Sequence, residues 1–348
     1  MNRIAIFRAL QLGDLLCSVP AIHALRQAHP RAHVTLIGLP WASAFVARYS
    51  TLFDEFMAFP GARGFPEQAE TDARLPEFLG RARARRFDLA IQLHGSGGVA
   101  NDIVESLGAR SCAGFVQPDE RPRRGTFVAW PDHLPEVQRY NVLMRALGIP
   151  ARETALWMPS TPRDDRDADS LVETHGIQVH RAVVVHAGAQ WPSRRWPAQR
   201  FARVADALAD LGMQVVLTGT APEAALVAEI GRAMHEPAIE LAGQTTLGSL
   251  AALIARVPLV VCNDTGISHV AAAMGTRSVV IASGSDTRRW APLDRERHIV
   301  LARYPACRPC AYPECPYGHE CALAVDEGSV ISAAATHLSA ARRAASHA

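Results

Sequence analysis

The chain has 348 residues, of which 49% are hydrophobic and 20% charged, and its formal net charge is +2. That length suits two domains with full cores, and so small a charge neither requires nor forbids a nucleic-acid partner. All 36 basic residues are arginine, which excludes a Schiff base, a pyridoxal phosphate anchor and the P-loop of an ordinary NTPase. Phosphate must therefore be bound by arginine, backbone amides or helix N-termini.

The N-terminal residues 1–7 enter a strand pattern directly and lack the long apolar core of a signal peptide. No run of about 18 apolar residues occurs, so we expect no membrane-spanning helix. We therefore expect a cytoplasmic protein.

The first half of the chain alternates short apolar runs with helical patterns. Strands are expected at 3–8, 33–38, 53–59, 87–93 and 111–115, and helices at 9–29, 41–49, 99–107 and 137–147. Pro20 suits the first turn of a second helical segment inside the first of these helical stretches. This alternation predicts a parallel, doubly wound sheet.

The second half repeats the rhythm after a break. Pro159, Pro162 and the run of Asp and Arg that follows them are typical of a linker. Beyond it, strands are expected at 182–186, 214–218, 259–263 and 278–281, and helices at 197–211, 222–234, 247–255, 266–274 and 329–345. We therefore predict an α/β protein with two Rossmann-like domains, at 1–160 and 161–348, facing a central cleft.

The first strand is followed by a loop that contains Gly13 and Asp14. Ligands of open α/β sheets lie at the carboxyl ends of the strands, and Gly13 permits a tight turn and the close approach of a ligand. A carboxylate at Asp14 could take a proton from a hydroxyl nucleophile. The alternative is that Asp14 only caps the following helix.

In the second half, the strand at 182–186 leads into Gly188 and then into the pair Arg194 and Arg195. Guanidinium groups bind phosphate oxygens in bidentate fashion, so this loop suits a diphosphate. The alternative is a solvated basic surface. Glu223, after the next strand, could accept ribose hydroxyls or simply complement a helix dipole.

The strand at 259–263 ends in the strongest local signal, Asp264, Thr265 and Gly266, with His269 in the first turns of the helix that follows. A helix N-terminus holds an anion with its free amides and its dipole. His269 is near enough to touch the same anion, but it could equally be a structural histidine.

These loops, in this order, resemble the ADP-heptose:lipopolysaccharide heptosyltransferases, glycosyltransferase family nine. The combination of Gly13-Asp14 with the Asp-Thr-Gly-x-x-His segment is specific, and the resemblance spans nearly the whole chain. It implies a GT-B-like architecture, with the acceptor in the N-terminal domain and the nucleotide sugar in the C-terminal one. It also implies an inverting transfer of heptose from ADP-heptose to a lipopolysaccharide inner-core acceptor at the inner membrane, with no cofactor required and no nucleic-acid partner.

The resemblance also assigns roles to residues. Asp14 matches the general base, and Arg194 falls where the family often has a lysine that neutralises the donor phosphates, although Arg195 is the alternative register. The expected donor-binding set is Gly13, Gly188, Arg194, Arg195, Glu223, Asp264, Thr265, Gly266 and His269. For an anionic acceptor or lipid headgroup we expect His94, Arg63 and Arg123, which are otherwise part of a solvated surface.

Four cysteines cluster near the C-terminus, at Cys307, Cys310, Cys315 and Cys321. Four thiolates suit a structural Zn or Fe, and reduced packed thiols or disulfides are the alternatives. Some protein heptosyltransferases related to the family carry an iron held by four cysteines. Transfer to a protein or capsule acceptor and a non-catalytic nucleotide-binding module therefore stay open, whereas a nicotinamide enzyme is disfavoured because no G-x-G-x-x-G follows a strand.

Overall fold

The computed structural model describes residues 1–68 and 74–345. The chain divides into two compact units, unit 1 at Met1–Pro159 and unit 2 at Ser160–Ala348. Each unit is built on one six-stranded sheet whose neighbouring strands all pair in parallel.

Unit 1 alternates strands and helices, as the sequence predicts. Its strands are β1 (Arg3–Phe7), β2 (His33–Gly38), β3 (Glu55–Ala58), β4 (Leu89–Gln92), β5 (Ser111–Val116) and β6 (Thr126–Ala129). Its helices are α1 (Leu12–Ala28), α2 (Ala42–Arg48), α3 (Leu75–Ala84), α4 (Val99–Ser106) and α5 (Glu136–Ala146). The strand order is β3-β2-β1-β4-β5-β6.

Unit 2 has the same arrangement. Its strands are β7 (Ala182–His186), β8 (Gln214–Thr218), β9 (Ala238–Glu240), β10 (Leu259–Asn263), β11 (Ser278–Ala282) and β12 (His298–Ala302). Its helices are α6 (Pro162–His175), α7 (Ala198–Asp210), α8 (Ala224–Ala233), α9 (Leu247–Ile254), α10 (Gly266–Ala273), α11 (Thr287–Trp290), α12 (Glu320–Leu323) and α13 (Glu327–Ala345). The strand order is β12-β11-β10-β7-β8-β9.

Both sheets have a topological switch point between the first and the fourth strand of the unit. β1 pairs with β4 in unit 1, and β7 pairs with β10 in unit 2. The order of the strands reverses there, which opens a crevice at their carboxyl ends where ligands of Rossmann-like sheets bind. Asp14 lies in the first turn of the helix that follows β1, and Gly188 and Asp264 lie in the loops that follow β7 and β10.

The helix that carries Asp14 differs from the expectation in one respect. α1 runs without a break from Leu12 to Ala28, and Pro20, expected to begin a second segment, lies inside it. Proline removes one helical N–H donor, but α1 is buried along most of its length between Leu15 and Leu25. We infer that packing of this buried helix offsets the missing bond, because tertiary packing supplies most helical stability.

The predicted linker around Pro162 was a wrong interpretation, because residues 162–175 form helix α6. Thr161 and Asp164 form a reciprocal capping box, with Thr161 N donating to Asp164 Oδ2 at 2.8 Å and Asp164 N to Thr161 Oγ1 at 3.2 Å. Pro162 occupies the first turn, where its missing N–H is not needed. Gly176 ends the helix in the left-handed conformation, with φ of 63°.

No helix within residues 1–68 and 74–345 is both long enough and apolar enough to cross a membrane.

Replacing the cap of α6 tests how this helix is stabilised. Thr161→Ala removes the acceptor for Asp164 N and is expected to lower the free energy of unfolding by about 1 kcal/mol. Chemical denaturation followed by circular dichroism measures it. Thr161→Ser keeps the hydroxyl and should stay close to wild type, and an equal loss in both variants would contradict the capping argument.

Candidate functional site

Asp14 is the third residue of α1, in the loop and first turn that follow β1. Its Oδ2 accepts a hydrogen bond at 3.2 Å from the backbone N–H of Gln11, which is the N-cap of α1. Asp14 thus completes a capping box from the third helical position and is not itself the N-cap that the alternative interpretation of the sequence expected. The side chain nevertheless remains 20% exposed. Capping and proton transfer are therefore compatible, because the cap fixes the carboxylate while leaving it open to a ligand. Gly13 has helical backbone beside it, in the same first turn.

A fully buried arginine, Arg8, holds the other side of this carboxylate. Arg8 Nε donates to the backbone oxygen of Asp14 at 2.8 Å, and Nη1 donates to the carbonyl of Leu93. Arg8 Nη2 lies 3.8 Å from Asp14 Oδ1 and 3.7 Å from Glu136 Oε1. The guanidinium therefore links the loop after β1 to β4 and to α5.

Glu136 is the buried counter-charge on α5. Its carboxylate lies 3.6 Å from Arg139 Nη1 and accepts a hydrogen bond from the hydroxyl of Tyr140. Burial raises the pKa of Tyr140 well above its ordinary value, so the phenol stays protonated and remains a donor. Two carboxylates, Asp14 and Glu136, thus balance two guanidinium groups, Arg8 and Arg139.

His94, expected to meet the acceptor, follows β4 and packs against Phe7 at the end of β1, with ring centres 5.2 Å apart. Its Nδ1 accepts the backbone N–H of Ala9 at 3.1 Å, and its Nε2 lies 3.9 Å from Glu67 Oε2. Burial, with the charge of Arg8, lowers the pKa of His94 to about 3, so the ring is neutral at physiological pH. Burial also raises the pKa of Glu67, and the Asp14 carboxylate adds to that rise.

The two other residues expected at the acceptor are placed differently. Arg63 is exposed in the segment after β3. Arg123 has a side chain only 2% exposed, and it pairs with Asp102, Glu105 and Glu120 at 2.6–3.0 Å. This network supports a structural role for Arg123, because its guanidinium already has three carboxylate partners.

In unit 2, both arginines of the predicted phosphate loop are held by backbone oxygens. Arg194 donates to Ser283 O at 3.2 Å and to Cys310 O at 2.5 Å. Arg195 donates from Nε and Nη2 to Ala189 O, at 2.9 and 2.8 Å. The hydrogen bonds fix both side chains while each keeps further N–H groups.

Asn263, the last residue of β10, ties this loop to the strand beside it. Its Nδ2 donates to Ala187 O at 2.7 Å, and its Oδ1 accepts Trp196 N at 3.0 Å. The Trp196 indole is buried and donates to the carbonyls of Ala322 and Val325. The loop that carries the arginines is therefore anchored at both ends.

Glu223 lies against Gly188 at the edge of the same crevice. Its Oε2 accepts hydrogen bonds from Thr220 N and Thr220 Oγ1, both at 2.8 Å. A Cβ at position 188 would stand 2.1 Å from Glu223 Oε1, so only glycine permits this approach. Burial lowers the pKa of the neighbouring His186, and the charge of Glu223 opposes that shift. Both hydrogen bonds from Thr220 go to Oε2, so Oε1 takes no part in this turn. A residue that accepts ribose hydroxyls needs such an oxygen.

The segment from Asp264 to His269 forms the start of α10, as predicted. Thr265 is the N-cap and its side chain makes no capping hydrogen bond, while Gly266 opens the helix. Asp264 Oδ2 accepts the hydroxyl of Ser285 at 2.5 Å. His269 is 4% exposed, with its ring 6.4 Å from that of Trp290. Free amides at this helix start are suited to an anion.

The four clustered cysteines are free thiols. Within the described parts of the chain, no three or more His, Cys, Asp or Glu side chains are arranged to hold a metal ion. The side chains of Cys307, Cys310, Cys315 and Cys321 therefore do not fit a four-thiolate site in this arrangement. Burial raises the pKa of the Cys321 thiol.

Comparison with known proteins decides the family. The sequence profile described as glycosyltransferase family 9 (heptosyltransferase) matches residues 77–320, more than half of the chain. The chain belongs to glycosyltransferase family 9. It is 26% identical over 322 residues to lipopolysaccharide heptosyltransferase 2 of Escherichia coli (strain K12), covering 86% of this chain and 87% of the relative.

Two solved structures share the fold of this glycosyltransferase. A glycosyl transferase family 9 protein from Veillonella parvula DSM 2008 superposes with a TM-score of 0.83 at 23% identity, covering 97% of each chain. ADP-heptose lps heptosyltransferase II of E. coli superposes with a TM-score of 0.73 at 21% identity, covering 97% of this chain and 98% of that one. The GT-B-like fold class predicted from the sequence is thereby confirmed.

Several site residues of this glycosyltransferase have no local signal in the sequence. Arg8 and Glu136 are a strand-end arginine and a helix-start glutamate, which usually lie at the surface. Glu67 and Arg308 lie in irregular segments. Of these residues, only Arg8 has a position in the sequence that could have indicated the site, because a charged residue directly after an apolar strand enters the crevice of such a sheet.

The buried Glu136 predicts a large effect on stability. Glu136→Gln would leave Arg8 and Arg139 with one counter-charge fewer, and we expect a loss of about 3 kcal/mol in the free energy of unfolding, measured by denaturant titration. Asp102→Asn is the matched control, because Asp102 also contacts two arginines but is 55% exposed. Asp102→Asn should lower the free energy of unfolding by less than about 1 kcal/mol. Equal losses of stability in the two variants would contradict the burial argument.

The low pKa of His94 predicts a dependence of stability on pH. Between the ordinary value of 6.5 and about 3, the unfolded chain binds a proton on His94 that the folded protein does not. Stability is therefore lost as the pH falls through that window, by about 2 kcal/mol at pH 5. His94→Asn, whose amide oxygen can replace Nδ1 as acceptor, should flatten the profile. His133→Asn at an exposed position should not, and parallel profiles for wild type and His94→Asn would contradict the assignment.

Proposed function

We propose that this family 9 glycosyltransferase moves heptose from ADP-heptose to a lipopolysaccharide inner-core acceptor, with Asp14 as the general base. Unit 1 would hold the acceptor and unit 2 the nucleotide sugar. The observation that carries the proposal is the anion-binding set at the switch point of unit 2, where Arg194, Arg195 and the start of α10 lie in adjoining loops. Relatives named as heptosyltransferases over most of the chain support it.

The proposed reaction is a single displacement. A hydroxyl oxygen of the acceptor attacks the anomeric carbon of heptose, the bond from that carbon to the phosphate oxygen breaks, and ADP leaves. Asp14 takes the hydroxyl proton as the new bond forms. One displacement inverts the configuration at the anomeric carbon, so no covalent sugar intermediate is needed.

The geometry around Asp14 suits this task. A base must be ionised, fixed and open to its substrate. Arg8 Nη2 at 3.8 Å favours the ionised carboxylate, the bond from Gln11 N fixes it, and its exposed fraction leaves room for a hydroxyl. Arg8 Nη2 also lies 3.7 Å from Glu136 Oε1, so the guanidinium interacts with two carboxylates and not with Asp14 alone.

The donor half must stabilise a leaving diphosphate without lysine. Arg194 or Arg195 would bind phosphate oxygens, and the amides at the start of α10, near Thr265 and Gly266, would hold the other charges. Glu223 would accept the ribose hydroxyls. His269, buried in the first turns of α10, would line the same pocket.

The acceptor half is proposed on fewer contacts. His94 lies beside the residues that follow β1 and is neutral, so it would contact sugar hydroxyls through its Nε2. Exposed Arg63 would meet an anionic group of the acceptor or a lipid headgroup. Such contacts would place the enzyme in the cytoplasm, peripheral at the inner membrane.

Asp14→Asn tests the base. We expect kcat for ADP release in the presence of acceptor to fall by about 10²–10⁴-fold, while the affinity for ADP, measured by calorimetry, stays near wild type. Asp165→Asn, an exposed carboxylate in the first turn of α6, is the matched control and should keep full activity. Full turnover by Asp14→Asn would refute the assignment.

A donor panel separates the class of reaction from the choice of base. Wild-type protein should release ADP from ADP-heptose when acceptor is present, and should use UDP- or GDP-sugars far less. If no nucleotide sugar is turned over with a Kdo-bearing lipid acceptor but ADP still binds, the lipopolysaccharide acceptor is wrong and protein acceptors are tested next.

A further inference from the structure

The cysteine-bearing segment, residues 307–321, is hydrogen-bonded to the loop that carries Arg194. Arg194 Nη2 donates to Cys310 O at 2.5 Å, and Ser193 N donates to Pro313 O at 3.0 Å. In addition, Nε2 of His319 lies 2.9 Å from Ser193 O. This segment therefore fixes the first of the two anion-binding loops of unit 2.

The same segment is bonded to the loop after β11, which in turn contacts Asp264. Cys310 N donates to Gly284 O at 2.9 Å, and Arg308 Nε donates to Ser285 O at 2.7 Å. Ser285 Oγ donates to Asp264 Oδ2 at 2.5 Å. A continuous set of contacts thus runs from Arg308 through Ser285 to the carboxylate at the start of α10.

Arg308 is unusual for a residue outside the predicted motifs. It is only 8% exposed, its guanidinium stacks 4.4 Å from the centre of the Tyr304 ring, and its Nη1 donates to Arg303 O at 2.6 Å. Its buried Nη2 has no hydrogen-bond partner within the described residues. Burial lowers the pKa of Arg308, and the nearby charge of Asp264 counteracts this shift. A buried guanidinium with an unused donor, linked to a carboxylate through one serine, is costly unless it serves the site.

We propose that Arg308 is a positioning residue of the donor site: it offsets the negative charge of Asp264 and, through Ser285, fixes the Asp264 carboxylate where the leaving diphosphate binds. The proposal rests on the proposed function, because it takes the ligand to be a nucleoside diphosphate. It assigns a task to the segment that carries the four cysteines without requiring a metal.

The physical argument concerns like charges. A carboxylate at the start of α10 accepts hydrogen bonds from sugar hydroxyls but repels phosphate oxygens. A guanidinium close to that carboxylate cancels much of the repulsion in a site of low dielectric. Removing Arg308 should therefore weaken the binding of a charged diphosphate and leave the binding of an uncharged nucleoside unchanged.

The experiment compares ADP with adenosine. Arg308→Met should weaken ADP binding by about tenfold, as measured by calorimetry, because it leaves the charge of Asp264 without its counter-charge and removes the contact that fixes Ser285. Adenosine, measured by competition, should bind as in wild type. Arg308→Lys should recover part of the ADP affinity, since it restores the charge but not the bond geometry. Arg303→Met removes an equal charge from an exposed side chain close by and should change neither affinity.

A double mutant checks that Arg308 acts through Asp264. In an Asp264→Asn background there is no carboxylate charge for Arg308 to offset or to fix, so Arg308→Met should weaken ADP binding clearly less than it does in the wild-type background. An equal loss for ADP and adenosine, or an undiminished loss in the Asp264→Asn background, would overturn the proposal. If wild type binds no ADP at all, the proposed donor is wrong, which is a separate outcome.

Discussion

The interaction on which both candidate half-sites depend is the hydrogen bond from a guanidinium to a backbone carbonyl. Arg8 bonds in this way to Leu93, Arg194 to Cys310, and Arg195 to Ala189. A loop at the end of a strand exposes carbonyls that no neighbouring strand satisfies. One arginine can satisfy several of them while keeping its charge, which a compact ammonium group does less well. The absence of lysine therefore fits a structure in which the cations hold the loops as well as face the ligands.

The fold could be predicted from the sequence where local pattern and burial agree. β7 and β10 are apolar up to their last residue because helices cover both faces of a parallel sheet. α6 was missed because half of its residues are charged, and its clear signals are the cap at Thr161 and the stop at Gly176. β6 and β9 were missed because they are short edge strands without buried residues.

The candidate site divides in the same way. Asp14, Gly188 and Asp264 follow directly or closely on the carboxyl ends of strands, so the sequence could place them. Arg8 with Glu136 could not be paired, because they are far apart along the chain and only packing of α1 against α5 brings them together. Arg8 and Glu136 set the charge balance around the Asp14 carboxylate. A local sequence motif does not encode that balance.

The two hydrogen bonds of Asn263 have a consequence for the mechanics of unit 2. One planar amide serves as acceptor for Trp196 N and as donor to Ala187 O, so it ties both ends of the loop after β7 to the last residue of β10. Aspartate has no donor for the carbonyl, and glutamine is one methylene too long for the gap. The separation of the two ends of the loop that carries Arg194 and Arg195 is thus set by the length of a single side chain on the neighbouring strand.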